Sequence, residues 1–335
     1  MNLRTMAVTA ALALCCAASY GQPKVTTVVG GLDNPSGVAV QPETGHVFVS
    51  DSGAGKVIRI VDGKAQDVVV GFKTDIYGKG PMYNIGPLGL MFLDKNTLVV
   101  GGGDLPDGEE KLRVFTVPAA GADPVKVDQA ISSYALPPEG DIKGEGNFYA
   151  LAGGNDAIFV TSNGDDTKGW VAKASVKNGK VTDFKRFIAT KEAVNVDAPV
   201  GATMSPRGEL VIGQMGEITV PRDGLLTFYR AEDGKMLMNL ETGLYDITAL
   251  AYSPKGELLA TDFAWMKTDE GGLFQLIATQ KEGKQAIEAK KIVALDKPSA
   301  MAFGSDGTLY ITVFGTAKEG ASQKPGSLVS IQMGD

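Results

Sequence analysis

Sulfur and imidazole chemistry are nearly absent from this chain, whose 335 residues include two cysteines and one histidine. Both cysteines, Cys15 and Cys16, fall in an apolar stretch at the start, so residues 22–335 carry none. His46 stands alone, which excludes Ser-His and Cys-His nucleophile arrangements and zinc sites built on His and Cys. No disulfide can brace the fold, so stability rests on a buried core, which a chain of this length can supply. Basic charge is also short: 32 Lys and Arg stand against 39 Asp and Glu, a formal net charge of −7. That sign argues against nucleic acid and against anionic membrane surfaces. No stretch approaches the ~20 consecutive apolar residues of a bilayer span. Helix signals are confined to a turn at Thr190–Ala193, and no Pro- or Ser-rich linker divides the chain, so residues 22–335 read as one domain.

What the chain does have begins with a leader. Residues 1–21 carry Arg4, an apolar run from Met6 to Ala18 and the small-x-small triplet Ser19–Gly21, which reads as a signal peptide cleaved before Gln22. Leu14 directly before Cys15 is a poor match to a lipoprotein signal, so no lipid or membrane anchor is expected. Cleavage removes Arg4 and no acid, taking the net charge from −7 to −8. The expectation is a secreted or periplasmic protein.

The rest is repetition. Residues 31–60, GLDNPSGVAVQPETGHVFVSDSGAGKVIRI, hold a turn, a short Val-rich run, a polar turn, a second run, a Gly-rich loop and a third run. Similar stretches recur at 86–104, 146–165, 198–216, 245–263 and 297–315. With Pro35, Pro87, Asn147, Pro199, Asp246 and Pro298 taken as equivalent, the spacings are 52, 60, 52, 47 and 52 residues. Runs of four to six residues rich in Val and Ile are strands. A period near fifty, filled with about four of them, indicates propeller blades. The sequence thus predicts an all-β, six-bladed β-propeller of four-stranded antiparallel blades. The sixth copy ends without a fourth run, and Val25–Val29 precedes the first without a partner, so the N-terminal strand should close the ring.

In such blades the second-to-third-strand loops and the blade-to-blade connections share one face, here called the top. The bottom turns are short, whereas Gly71–Gly86, Gly101–Glu110, Leu136–Gly146, Gln214–Gly224, Asp262–Gly271 and Phe314–Pro325 are long, Gly-rich and polar. Loops of that kind on a rigid scaffold are where a ligand would be held. His46 falls on the opposite face. At the mouths of the inner strands stand Asp33, Asn34, Asn84, Glu145, Asn147, Asp197, Asp246 and Asp296. If they ring the channel, their oxygens suit a hard cation such as Ca²⁺; alternatively they bond the backbone of turns ahead of Pro. A second tier, Asp51, Asp104, Asn163 and Asp262, follows the second strands and is open to the same two readings. Tyr77, Lys79, Met82 and Tyr83 form an insertion that could cover a pocket or, the preferred placement, pack back onto blades 1 and 2.

Through GLDNPSGVAV, NIGPLGLMF and KPSAMAFGSDGTLYIT the chain resembles the NHL-repeat and gluconolactonase-like superfamily of six-bladed propellers, and within it the exported propellers associated with scytonemin biosynthesis. That resemblance implies the fold and an exported location, with no agreed reaction. The gluconolactonase branch would imply a metal-dependent lactone hydrolase, its metal held by a Glu in GEGP, an Asn before Gly-Leu-Ala and an Asp before Gly-Met. Here Gly144–Asn147 reads GEGN in the third copy, and Val200 and Ser299 stand at the positions comparable to the other two ligands. The leading expectation is a non-catalytic exported propeller that binds a small molecule, a cation or an extracytoplasmic protein through its top face. The alternative is a metal-dependent lactonase or other hydrolase, with Glu145, Asp197 and Asp246 as the metal ligands. No cofactor is required by either pattern beyond Ca²⁺ or another divalent cation.

Overall fold

A computed structural model describes residues 23–333 apart from 79, 155, 165–167 and 197. The expected leader, Lys79 and Asp197 therefore lie outside the described residues. The fold is the predicted six-bladed propeller, in which every blade has its inner strand first, and the sixth takes its outermost strand from the N-terminal end of the chain. The inner strands are Pro35–Val40, Pro87–Asp94, Phe148–Gly153, Pro199–Met204, Ile247–Tyr252 and Pro298–Phe303. Second strands such as Val47–Asp51 and Leu258–Asp262 are buried at every residue, because a neighbouring blade covers each face. Outer strands lose that cover, and Lys284–Ala294 accordingly mixes Lys, Gln and Glu with its apolar residues.

The core is distributed among the blade junctions. Each pair of neighbouring blades encloses its own apolar cluster, as with Phe48, Leu98 and Phe115 between blades 1 and 2 and Phe159, Leu210 and Tyr229 between blades 3 and 4. No blade buries its faces alone, so the ring is stable only when complete. Closure follows the sequence reading: Val25–Leu32 pairs antiparallel with Gly326–Gln332, and Leu32 and Leu328 enter the cluster between blades 6 and 1.

Two details differ from expectation. Pairing aligns Phe148 and Ile247, not Asn147 and Asp246, with Pro35, Pro87, Pro199 and Pro298, because Phe148 faces Ser162 as Pro35 faces Asp51. Blade 1 also gains a fifth strand. The connection beyond Thr116 returns to blade 1, where Val125–Lys126 lies parallel to Val69–Val70, and Arg59 of blade 1 donates to the carbonyls of Pro118 and Ala119 at 3.0 and 2.9 Å. The expected turn near 190 is a one-turn helix, Thr190–Val194. Among the described residues no helix is long and apolar enough to cross a membrane.

Every inner strand carries a register shift directly after its first residue, for example between Pro35 and Gly37 and between Ile247 and Ala249. Such a bulge re-aims the extra side chain. Repeated around the ring, it directs Ser36, Leu88, Tyr149, Val200 and Thr248 to a common pocket at the top of the axis.

Candidate ligand-binding site

The top of the axis is apolar and closed. Residues Asp75–Tyr77 and Tyr83–Ile85 pair as a small hairpin in the connection between blades 1 and 2, with Tyr77 opposite Tyr83 and so on one face. That face lies over the axis. The Tyr83 ring meets Trp265 and Phe314 edge-on at 5.2 Å each and Phe263 at 6.0 Å, and Tyr77 meets Trp265 at 6.0 Å. Gly78 is required here, since a Cβ on it would come within 2.7 Å of the Trp265 ring. The preferred placement against blades 1 and 2 is thus corrected: the two tyrosines cover the axis and pack on blades 5 and 6, because aromatic burial there outweighs local contact. Beneath them remains a cavity of about 40 Å³, room for a few waters at most. Tyr149 lies across the channel below it, and burial pushes its phenol well above the ordinary tyrosine range.

The residues expected to ring the channel are distributed among separate local roles. Asp51 accepts the Asp33 amide at 2.7 Å, and Asp262 does the same for Asp246 at 2.8 Å while also accepting the amides of Tyr245 and Ala264. These two second-tier acids therefore fasten the mouth of the inner strand to the end of the second, as the turn-bonding reading holds. Asp33 pairs with Lys324 at 2.9 Å, Asp296 with Lys297 at 3.1 Å, and Asp104 with Arg113 through two bonds of 2.8 and 3.0 Å. Asn34 donates to the Asn84 carbonyl, and the Asn84 side chain is exposed. Asp246 accepts the Trp265 amide at 2.5 Å; burial pushes its carboxyl up to about 7 against that bond, with the charges of Asp262 and Asp223 adding to the rise. Glu145 is buried at the top end of blade 3, where its Oε2 accepts the Ser162 hydroxyl at 2.7 Å. Among the described residues of the predicted set, Asn147, Asn163 and Tyr83 alone line the axial pocket.

A larger cavity of about 440 Å³ opens beside the axis, above blades 2, 3 and 4. The hairpin forms one wall through Asp75, Ile76 and Tyr77, and the top loops of the three blades contribute Asp107, Glu110, Asn147, Asn163, Met215, Glu217 and Ile218. Among the described residues no Lys, Arg or His lines it. Tyr77 and Asn163 tie hairpin to blade 3 through an amide-to-hydroxyl bond of 2.8 Å, and the Asn147 side chain donates to the Asn163 carbonyl at 3.2 Å.

Glu110 is the buried acid of this wall, 1 % exposed, and its Oε2 accepts the Asn147 backbone amide. Glycine makes that possible, since a Cβ at Gly146 would fall on the carboxyl itself and one at Gly164 would come within 2.3 Å of Asp107. Burial pushes the Glu110 carboxyl up to about 9; the Asn147 amide opposes the rise, and the charges of Asp107, Asp104 and Asp75 add to it. Asp75, Asp107, Glu110 and Glu217 were not singled out from the sequence. They sit within the long top loops and not at strand mouths, and the only signal available was acid content in loops already marked as ligand-holding.

The donor set does not fit the metal centre that the family resemblance implies. Val200 offers only hydrocarbon, Ser299 gives its hydroxyl to the Pro35 carbonyl at 2.5 Å, and Glu145 is engaged by the Ser162 hydroxyl at 2.7 Å. Of the alternative set, Asp197 is outside the described residues, and Glu145 and Asp246 belong to blades 3 and 5 with different partners. Among the described residues no three of Asp, Glu, Cys and His are close enough to hold a metal ion.

No protein-family profile matches the chain, and no curated protein does. Solved structures match its fold. A glucose dehydrogenase is 14 % identical, with 93 % of this chain and 100 % of that one covered at a TM-score of 0.61. A luciferin-regenerating enzyme is 13 % identical over 93 % and 95 % of the two chains, at 0.60. A gluconolactonase from Xanthomonas campestris is 13 % identical over 93 % and 90 %, at 0.56. At such identity the likeness establishes the six-bladed architecture.

Proposed function

We propose that this protein is an exported binding propeller that holds a small polar solute in the top-face cavity above blades 2–4, without transforming it. The observation that carries the reading is that cavity: about 440 Å³, lined by acidic and amide side chains with an apolar side of Ile76, Ile85, Met215 and Ile218, and within the size range of small-molecule sites. The closed axis supports it, because a solute arriving from the top meets the aromatic hairpin at the centre and open volume only beside it. The leader-like residues 1–21 support export.

Thermal shift and calorimetry with calcium chloride, myo-inositol, 1-aminobutane and glucono-1,5-lactone test the proposal, with lactone hydrolysis followed in parallel with and without divalent ions. The expected result is saturable binding by at least one probe, weakened about tenfold by Glu217→Trp, which fills the open side of the cavity, and no lactone turnover. Metal-stimulated turnover would instead favour the hydrolase alternative, for which the enzymes sharing the fold provide the precedent. Silence from every probe would contradict the binding reading.

A further inference from the structure

We propose that the outer edge of blade 4 and the groove beside it form a self-association surface, where a second copy of this chain docks about a two-fold axis. A strand at the rim of a sheet presents unpaired N–H and C=O groups, and chains usually blunt it with charge, shortness or bulges. Blade 2 ends on three residues, Ser132–Tyr134, and the outer strands of blades 3 and 5, Lys180–Ala189 and Lys284–Ala294, carry Lys and acids along their length. Lys64–Val70 of blade 1 is partly covered by Val125–Lys126, and Val25–Leu32 of blade 6 has two glycines and two register shifts. Met236–Glu241 of blade 4 is the contrast. Met236, Leu237, Met238, Asn239 and Leu240 follow in a row without a charge.

That strand carries a knob. Its register against Leu225–Arg230 shifts between Phe228 and Tyr229, so Leu237 faces no residue there, as the extra residue of a bulge does. Met236 and Leu237 are 39 % and 47 % exposed. Beside the knob lies a hole. The outer strands of blade 5, Gly272–Lys281 and Lys284–Ala294, have ten and eleven residues, against six in each of the blade 4 strands Leu225–Arg230 and Met236–Glu241. The longer hairpin walls a groove of about 540 Å³ between the two blades. Phe228, Met238 and Leu240 line it from blade 4, and Tyr252, Leu276 and Ile287 from blade 5. Taking such hydrocarbon out of water is favourable by about 25 cal/mol per Å².

A knob and a hole on one patch specify the occupant. Under a two-fold rotation the surface meets itself, so Leu237 of each copy enters the groove of the other and both features are filled at once. A different protein or a small apolar molecule fills the groove and leaves the knob in water. Charge agrees with the second copy. Lys235 and Glu241 flank the strand, Lys281, Glu282 and Lys284 stand at the tip of the blade 5 hairpin, and Glu257 lines the groove. Three bases thus stand among three acids. A partner of one sign meets repulsion as well as attraction there, whereas the same patch turned on itself can set its own opposite signs together. Among the described residues the groove shares none with the cavity above blades 2–4, so association does not depend on ligand binding there.

Light scattering and sedimentation equilibrium on the full chain test this across concentrations from about 1 to 100 μM. The expected result is a mass that rises from one chain to two and stops there, since a two-fold contact closes on itself. Leu237→Glu, a change at an exposed position, should weaken dimerisation at least tenfold, to judge from the roughly 2 kcal/mol that a central interface residue carries. Thr26→Glu on the exposed edge of blade 6 should leave it unchanged. In the wild type, hydrogen exchange at residues 236–241 and 278–287 should slow as concentration rises, a readout that needs no variant. One chain's mass at every concentration overturns the proposal, as does a dimer indifferent to Leu237→Glu in a folded variant or protected at other residues. Mass growing past two chains overturns the two-fold contact. A monomer that takes up dodecanoic acid at the groove overturns it too, assigning the groove to an apolar ligand.

Discussion

At the scale of single residues, this protein holds carboxyl groups where water cannot reach them, and burial favours their protonated form. Glu110 is pushed up to about 9 and Asp246 to about 7, burial being the main cause for each. A carboxyl whose folded value exceeds its unfolded one binds a proton in the folded state that the unfolded chain has released. Its contribution is complete below the unfolded range, near 4.5 for Glu110, and is lost as pH rises through the raised value. Stability should therefore fall between about pH 5 and pH 9, with Asp246 and Glu110 both contributing up to about pH 7 and Glu110 alone above it. At roughly 2–4 °C per kcal/mol, a decrease in Tm of about 5 °C or more is expected, and Glu110→Gln should flatten the curve above about pH 7. A Tm that is level from pH 5 to 9 would contradict these environments.

At the scale of the strand, one position decides how neighbouring blades meet. The residue before the last of each second strand is Ser50, Gly101, Thr161, Gly213, Thr261 or Thr312. Ser50 and Thr161 donate to the Leu88 and Val200 carbonyls of the next blade, at 2.6 and 2.8 Å. In blades 5 and 6 the hydroxyls of Thr248 and Ser299, each bonded to Thr261 or Thr312, reach Pro298 and Pro35 of the next blade. The glycines serve the two remaining junctions by close approach, and a Cβ on Gly101 would come within 2.1 Å of the Phe148 carbonyl. Gly101→Ala should thus cost about 3 kcal/mol or more, since backbone must move, whereas Ser299→Ala should cost about 1 kcal/mol, the worth of a hydroxyl bond. Urea unfolding of the two variants checks the order, and equal losses would contradict it.

The strands themselves were legible because Val and Ile runs between Gly-rich turns specify little else, and so was closure, from an unpaired run at each end. The alignment of Asn147 and Asp246 with the marker prolines failed by one residue. Where no Pro is present, the repeat is fixed by pairing and by the bulge, neither of which a residue pattern displays. The same bulge hid the axial residues: Ser36 or Val200 beside a Pro reads as ordinary strand until the register shift turns it to the axis.

At the scale of the whole molecule, a familiar ring has been given an unfamiliar centre. The chain shares its architecture with enzymes at identities of 13–14 %. Its axis, however, is plugged by Tyr77 and Tyr83 on Phe263, Trp265 and Phe314, and the open volume is displaced over blades 2–4. The long top loops were readable as the ligand-holding face, but which acids would converge was not. Asp33, Asp51, Asp246 and Asp262 share the residue type of Asp75 and Asp107, and only the fold separates those engaged in turns from those facing a cavity. The most direct measurement is a crystal structure of the protein soaked with 4-bromobenzylamine, the bromine located by its anomalous scattering. The account predicts one bromine position in the cavity, beside Met215 and Ile218. Bromine on the axis beneath Tyr83, at the bottom face, or at no ordered position would contradict it.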